Sequence, residues 1–235
     1  MPARRLCVAL TALLAMCIGL AEAGAFAVNP VRLSLSKGRT ASALTVQNQG
    51  VEAAVIQLES MAWSQQDGAD VLVPTQDLIA TPPIFRLAAG GSQIVRVGLR
   101  GPPPDARREG SYRLVLKEVP PPPPPDTQGI RVALQISLPV FTEPATAMPA
   151  LRWEARYREG QLRLSAFNDG NLHVQVIGLG LPGAGRQPEI KPGYVLSGQH
   201  RDWLFAADAP GDGLLRLVAQ TDAGDVAANV PVIAP

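Results

Sequence analysis

Between Gly129 and Thr142 the chain alternates: Ile130, Val132, Leu134, Ile136, Leu138 and Val140 are large and apolar, with Arg131, Ala133, Gln135, Ser137 and Pro139 between them. A period of two held over six apolar positions predicts a strand with one apolar face. The stretch is entered from a run of six prolines, Pro120–Pro125, and left through Glu143-Pro144. Pro139 lies inside it and cannot donate to a ladder, so the strand is expected at a sheet edge. A long apolar edge invites another strand. Pairing with a partner is therefore the expected purpose of this stretch.

Shorter alternating runs precede it. Phe26–Ser36, Ala41–Asn48, Ala53–Trp63, Val71–Pro74, Asp77–Phe85, Gln93–Leu99 and Ser111–Val119 read as strands or strand regions. They are separated by turn signals, among them Lys37-Gly38-Arg39 and the hairpin-type Asp67-Gly68. Glu143–Ala150 is rich in Pro and Ala and reads as a connection between domains. Beyond it, Leu151–Tyr157, Gln161–Asn168, His173–Leu179, Tyr194–Leu196, Asp202–Phe205, Gly213–Thr221 and Val226–Val232 form a second series of short strands. With 22 Gly and 23 Pro punctuating runs of Val, Leu and Ile, the fold class is all-β. The division expected is a leader over 1–25, a first domain over 26–144, a linker over 145–150 and a smaller β domain over 151–235.

The leader has the pattern of a signal peptide: Arg4 and Arg5, then the apolar Leu6–Leu20, then a small-residue site that allows cleavage after Ala23 or after Ala25. The apolar run is too short and wrongly flanked for a membrane span. Both cysteines, Cys7 and Cys17, fall inside it, and Met16 is too large for a lipid-attachment motif at Cys17. The mature chain is thus expected to be exported, without cysteine and without disulfides.

A net charge of +1 gives no clustered basic excess of the kind nucleic acid requires. The two histidines, His173 and His200, have no metal-ligand spacing, so no metal or cofactor is expected. No Gly-x-Ser-x-Gly elbow occurs, and Gly178-x-Gly180 lies between apolar residues with no helix pattern after it. These patterns point away from an enzyme, and no catalytic residue is assigned.

Four runs together resemble the PapD-like family of periplasmic chaperones from the chaperone–usher pilus pathway. They are Asn29-Pro30-Val31-Arg32; Ala80–Leu87 with Gly91, Gln93, Val95 and Arg96; Tyr112–Pro120; and Ile130–Phe141. Trp63-Ser64-Gln65 and Ser137–Phe141 look more like the archaic or alternative branch than the conventional one. The resemblance implies two immunoglobulin-like β-sandwich domains at an angle with a cleft between them. It implies a chaperone that lends a strand to an incomplete pilin subunit and passes that subunit to an outer-membrane usher. Ile130, Val132, Leu134 and Ile136 would fill the subunit groove. Self-association of the free chain is a further pairing open to such an edge.

The resemblance also implies that the subunit's C-terminal carboxylate is anchored by an arginine on the first strand and a lysine on the donor strand. Arg32 matches the first. The lysine position is occupied by Pro139. In Ser111–Val119 the apolar Tyr112, Leu114 and Leu116 share one face, which places Arg113 and Lys117 on the other, beside the donor strand. Arg32, Arg113 and Lys117 are therefore the anchor candidates; the plain alternatives are an ion pair for Arg32 and a solvated strand face for Arg113 and Lys117. Glu109 and Arg96 are expected in structural ion pairs, and Trp63, Trp153 and Trp203 in core or interdomain packing. The rival functions are a secreted adhesin or pilus component on the same fold, and an exported hydrolase or metalloprotein. A pilin would carry its own donor extension and usually a disulfide, which the mature part lacks.

Overall fold

The computed structural model describes residues 26–102, 107–121, 132–182, 192–206, 211 and 213–233, all of it strand, turn or extended chain. The strands are β1 (Phe26–Asn29), β2 (Leu33–Leu35), β3 (Ala41–Asn48), β4 (Ala54–Gln66), β5 (Ala69–Pro74), β6 (Leu78–Thr81), β7 (Ile84–Leu87), β8 (Ser92–Leu99), β9 (Gly110–Val119) and β10 (Gln135–Thr142). After them come β11 (Leu151–Arg158), β12 (Gln161–Asn168), β13 (Val174–Gly180), β14 (Gly193–Val195), β15 (His200–Ala206), β16 (Leu214–Thr221) and β17 (Val226–Ile233).

The first ten strands make two sheets. One has the order β1-β3-β8-β6; the other runs β2-β10-β9-β4-β5, with β7 also on β4. Alternation sets their inner faces: Leu44 and Val46 of β3 and Val95 and Val97 of β8 are buried against Leu58, Tyr112, Leu114, Leu116, Leu138 and Val140 from the facing sheet. The N-terminal strand region expected over Phe26–Ser36 is two strands. β1 pairs β3 in one sheet, and beyond Asn29-Pro30 the chain crosses to pair β2 with β10 in the other.

The last seven strands form the second sandwich. β14-β13-β16-β17 and β11-β12-β15 are its layers, joined where the end of β17 turns from β16 to pair Ala155 and Arg156 of β11. Its core brings Leu162, Leu164, Trp203 and Phe205 against Val176, Val195, Leu215 and Leu217. Trp153 packs against Trp203 with centroids 6.0 Å apart, the core role expected of both. The fold is thus all-β, two immunoglobulin-like sandwiches.

The connection between them is tied down. The Asn171 side-chain amide donates to the carbonyls of Arg107 and Thr146, and its Oδ1 accepts from the Met148 amide. Gly170 lies so close to this segment that a Cβ there would strike Met148 and Ala150.

Candidate functional site

Strand β10 has two unlike halves. Val140, Phe141 and Thr142 lie between β9 on one side and β2 on the other. Gln135–Pro139 pair only with β9, and among the described residues no strand lies on their other side. The strand is therefore an edge over most of its length and becomes interior only at its end. The register shows which backbone groups face outward. Glu118 donates to the Leu134 carbonyl, and Glu143 donates to the Leu35 carbonyl on the β2 side. Even-numbered residues thus bond to β9, while the backbone of Gln135, Ser137 and Pro139 faces the open side. Pro139 costs no bond to β9, because its missing N–H would have pointed away from it.

The apolar face changes along the strand. Val140 is fully buried and Leu138 nearly so, both in the first sandwich's own core. Ile136 is partly buried against that core, Leu134 is half-buried, and Val132 is 65 % exposed. All are even-numbered and share a face, so one apolar row begins inside the protein and runs out past its edge. Leu134 is steadied from β9, its amide donating to the Glu118 carboxylate at 3.0 Å. Ile130 lies outside the described residues.

The other face of the same sheet carries the cations. Leu33 pairs with Val140, which puts the preceding Arg32 at the level of Pro139, and Pro139 pairs with Arg113. Arg32, Pro139 and Arg113 thus occupy one rung across three neighbouring strands, about 10 Å from end to end at the ordinary strand spacing. Arg113 lays its guanidinium 3.7 Å from the ring centroid of Trp63 and 5.4 Å from that of Tyr194, with no carboxylate paired to it among the described residues. Burial pulls its pKa below the ordinary arginine value, and the nearby charge of Asp70 works in the opposite direction. The aromatic faces stabilise a cation that would otherwise be costly to desolvate. Arg32 is more exposed and reaches Asp222 at 3.3 Å, the weak kind of surface pair. Lys117, two repeats of the pleat further along the same face of β9, is joined to Glu59 at 2.6 Å. The three anchor candidates thus divide: Arg32 and Arg113 converge on one rung, and Lys117 has its own carboxylate.

An aromatic group at the junction of the two sandwiches holds this rung. Trp63 and Phe141 from the first and Leu196 from the second form a buried cluster, with Tyr194 against it. Phe141 stacks on His173 at 3.7 Å and 10°, and His173 Nδ1 lies 2.8 Å from the buried Glu109 carboxylate. Glu109 is thus in a structural pair as expected, whereas Arg96 is exposed with no ion partner among the described residues. Gln65 bridges the sandwiches with its whole amide: Nε2 donates to Asp70 and to the Tyr194 carbonyl, and Oε1 accepts from the Leu196 amide. Sequence reasoning missed Gln65, Tyr194 and the His173–Glu109 contact. Each joins residues far apart in the chain, and no local spacing marks them. Among the described residues no group of three or more His, Cys, Asp or Glu could hold a metal ion.

Comparison with solved structures bears on the whole chain. The chaperone–tip adhesion subunit complex CsuC–CsuE from the archaic Csu pili of Acinetobacter baumannii matches with a TM-score of 0.68 at 23% identity, covering 90% of this chain and 99% of the other. The SafA pilin–SafB chaperone complex of Salmonella enterica matches at 0.65 and 18%, over 89% and 98%. The E. coli chaperone DraB matches at 0.61 and 18%, over 88% and 97%. Comparison with curated protein sequences gives no match. A family model described as pili and flagellar-assembly chaperone, PapD N-terminal domain, matches residues 25–148. That is more than half of the 235 residues, and it takes in both the outgoing apolar row and the arginine rung: the chain belongs to the PapD-like family of pilus-assembly chaperones.

Proposed function

We propose that this chaperone completes a pilin subunit with the outer half of β10 and receives the subunit's C-terminal carboxylate on the rung of Arg32 and Arg113. The single observation that carries the reading is the apolar row on β10, buried at Val140 and 65 % exposed at Val132. A partner with an open groove would take Ile130, Val132 and Leu134, with Ile136 at the boundary. Its backbone would find the outward groups of Gln135 and Ser137 unpaired. Burying three such side chains is worth roughly 5–9 kcal/mol before ordering costs, at about 1.5–3 per side chain. That holds a subunit without preventing its release to a competing strand.

The carboxylate site is a departure from the two-cation pattern that the resemblance implies. Where a lysine on the donor strand would stand, Pro139 leaves a flat, uncharged spacer, and Arg113 on the next strand supplies the second charge. Arg113 supports this role because it is stacked, partly desolvated and, among the described residues, without a carboxylate of its own. Lys117, engaged by Glu59, would join only if that pair opened.

In this reading residues 1–25 direct export and are removed, 26–144 form the subunit-binding domain, 145–150 the connection and 151–235 the second domain. The chaperone works in the periplasm and hands the loaded subunit to an outer-membrane usher. Co-expression with a pilin-like protein encoded beside this gene tests the reading. A soluble one-to-one complex, absent from finished fibres, is expected. Incorporation of this chain into the fibre would instead make it a structural component.

A further inference from the structure

Tyr194 belongs to the three-residue β14 of the second sandwich, yet its side chain stands among the cations of the first. Its position is held from several sides. Its carbonyl accepts from Gln65 at 2.7 Å, and its ring meets Trp63 edge-on at 5.3 Å and tilts against Phe141 at 5.7 Å and His173 at 5.5 Å. Those contacts account for the ring. They do not account for the hydroxyl, on which the Arg32 and Arg113 guanidinium groups both act, Arg113 sitting 5.4 Å from the ring centroid. A phenol oxygen that accepts from a guanidinium still has its proton to give. Beside two guanidinium groups, of which among the described residues only Arg32 reaches a carboxylate, Asp222, the partner suited to that proton is an anion.

We propose that Tyr194 is a binding residue of the carboxylate site, its phenol donating to a carboxylate oxygen held by Arg32 and Arg113, so that the second sandwich supplies the third ligand. The inference rests on the reading of Arg32 and Arg113 given above and adds a residue to it. Burial lifts the phenol above its ordinary value against the opposing pull of both arginines, so the proton stays on the oxygen through the neutral range. The donor is neutral and rigidly placed, held at the site by the Gln65 amide and by the aromatic cluster between β14 and β4. Subunit capture is thereby tied to correct seating of the two sandwiches.

The test uses the full mature chain and two synthetic probes. One is the peptide acetyl-Val-Thr-Val-Thr-Val with a free carboxylate; the other is the same peptide as its C-terminal amide. Affinities are read by NMR titration, following the arginine Nε–H signals. The wild-type chain should prefer the acid. Tyr194→Phe keeps every ring contact and the carbonyl that Gln65 reaches, so it should melt with the wild type. It should lose about tenfold in affinity for the acid, the size of one hydrogen bond to a charged group, and nothing for the amide. An equal loss for both peptides would make Tyr194 a packing residue and overturn the proposal. If Arg113→Ala abolishes the preference for the acid while Tyr194→Phe leaves it whole, the anchor stands and this inference alone falls. A wild-type chain indifferent to acid and amide would remove the carboxylate site itself.

Discussion

Pro139 and Arg113 face each other across β10 and β9, so an uncharged ring and a guanidinium share one rung of the sheet, with Arg32 at the same level on the far side. If the rung receives a carboxylate, Arg113→Ala should weaken binding of a pilin subunit by ten- to a hundred-fold, as one charge-assisted hydrogen bond of about 1.5–3 kcal/mol implies. Arg113→Lys should restore only part of it, because an ammonium cannot lie flat on Trp63 and present a planar fork at once. Pull-down of a co-expressed pilin measures both. Full binding by Arg113→Ala, with loss in Lys117→Ala, would move the anchor to Lys117.

The two halves of β10 should respond oppositely to the same charge. Val132→Asp places a carboxylate at a site 65 % exposed in the free protein, so its melting temperature should hardly move. In a subunit groove the same charge would be desolvated, costing several kcal/mol of binding. Leu138→Asp, at a site 4 % exposed in the first sandwich's core, should unfold that sandwich. Thermal melts paired with pilin pull-downs separate the effects. A collapsed melt for Val132→Asp would remove the donor-strand reading.

Gly68 is where the β4–β5 hairpin touches the second sandwich. Asp67 and Gly68 adopt φ of 50° and 75°, and the Gly68 carbonyl accepts from the Asp202 amide at 3.1 Å. A Cβ on Gly68 would stand 2.5 Å from Asp202 Cγ. Gly68→Ala should cost about 1–2 kcal/mol from the left-handed backbone and displace Asp202 besides. Differential calorimetry, with limited proteolysis of the connection, reads both. An unchanged melt and cleavage rate would mean that this contact does not hold the sandwiches together.

Much of this was legible in the sequence where the cause is local. The period of two from Ile136 to Val140 became a strand, and Asp67-Gly68 became the hairpin turn because both residues tolerate positive φ. Ala41–Asn48 and Gln161–Asn168 are strands with the bounds their alternation sets. Phe26–Ser36 reads as one strand region interrupted at Asn29-Pro30; that the chain changes sheet there depends on pairing with β3 and β10, which no local pattern shows. Of the strand expected over Gly129–Thr142, Gln135–Thr142 are strand, residues 132–134 precede it outside the ladder, and 129–131 lie outside the described residues. Arg32 and Arg113 were legible as cations on the right faces. Their convergence was not, because it depends on register across three strands. Tyr194 and Gln65 meet across the junction of the two sandwiches, from strands more than a hundred residues apart. The bond between Lys117 and Glu59 was hidden for a similar reason, being a contact between neighbouring strands rather than along one.

The junction should also be sensitive to acid, through Asp70. Its carboxylate accepts from Trp63 Nε1 at 3.1 Å, Gln65 Nε2 at 2.9 Å and Arg201 at 2.9 Å, and so ties β5 both to the arginine rung's platform and to the second sandwich. Burial pulls its pKa upward, but these hydrogen bonds and the Arg201 charge outweigh burial and leave it below the ordinary 3.8. A carboxyl whose folded value is depressed adds stability that is complete above its unfolded value and is lost as the pH falls through the folded one. Asp70→Asn has no such proton to bind. At neutral pH it should melt below the wild type, and the gap should narrow as the pH drops under 3.8. Every other acid-titrating group is common to both proteins and cancels in the comparison. Melting curves of the pair over a descending pH series measure the gap. A gap that stays constant would mean the Asp70 charge contributes nothing to holding the sandwiches together, leaving Gln65, the aromatic cluster and the contacts at Gly68, Glu109 and Asn171 to do so.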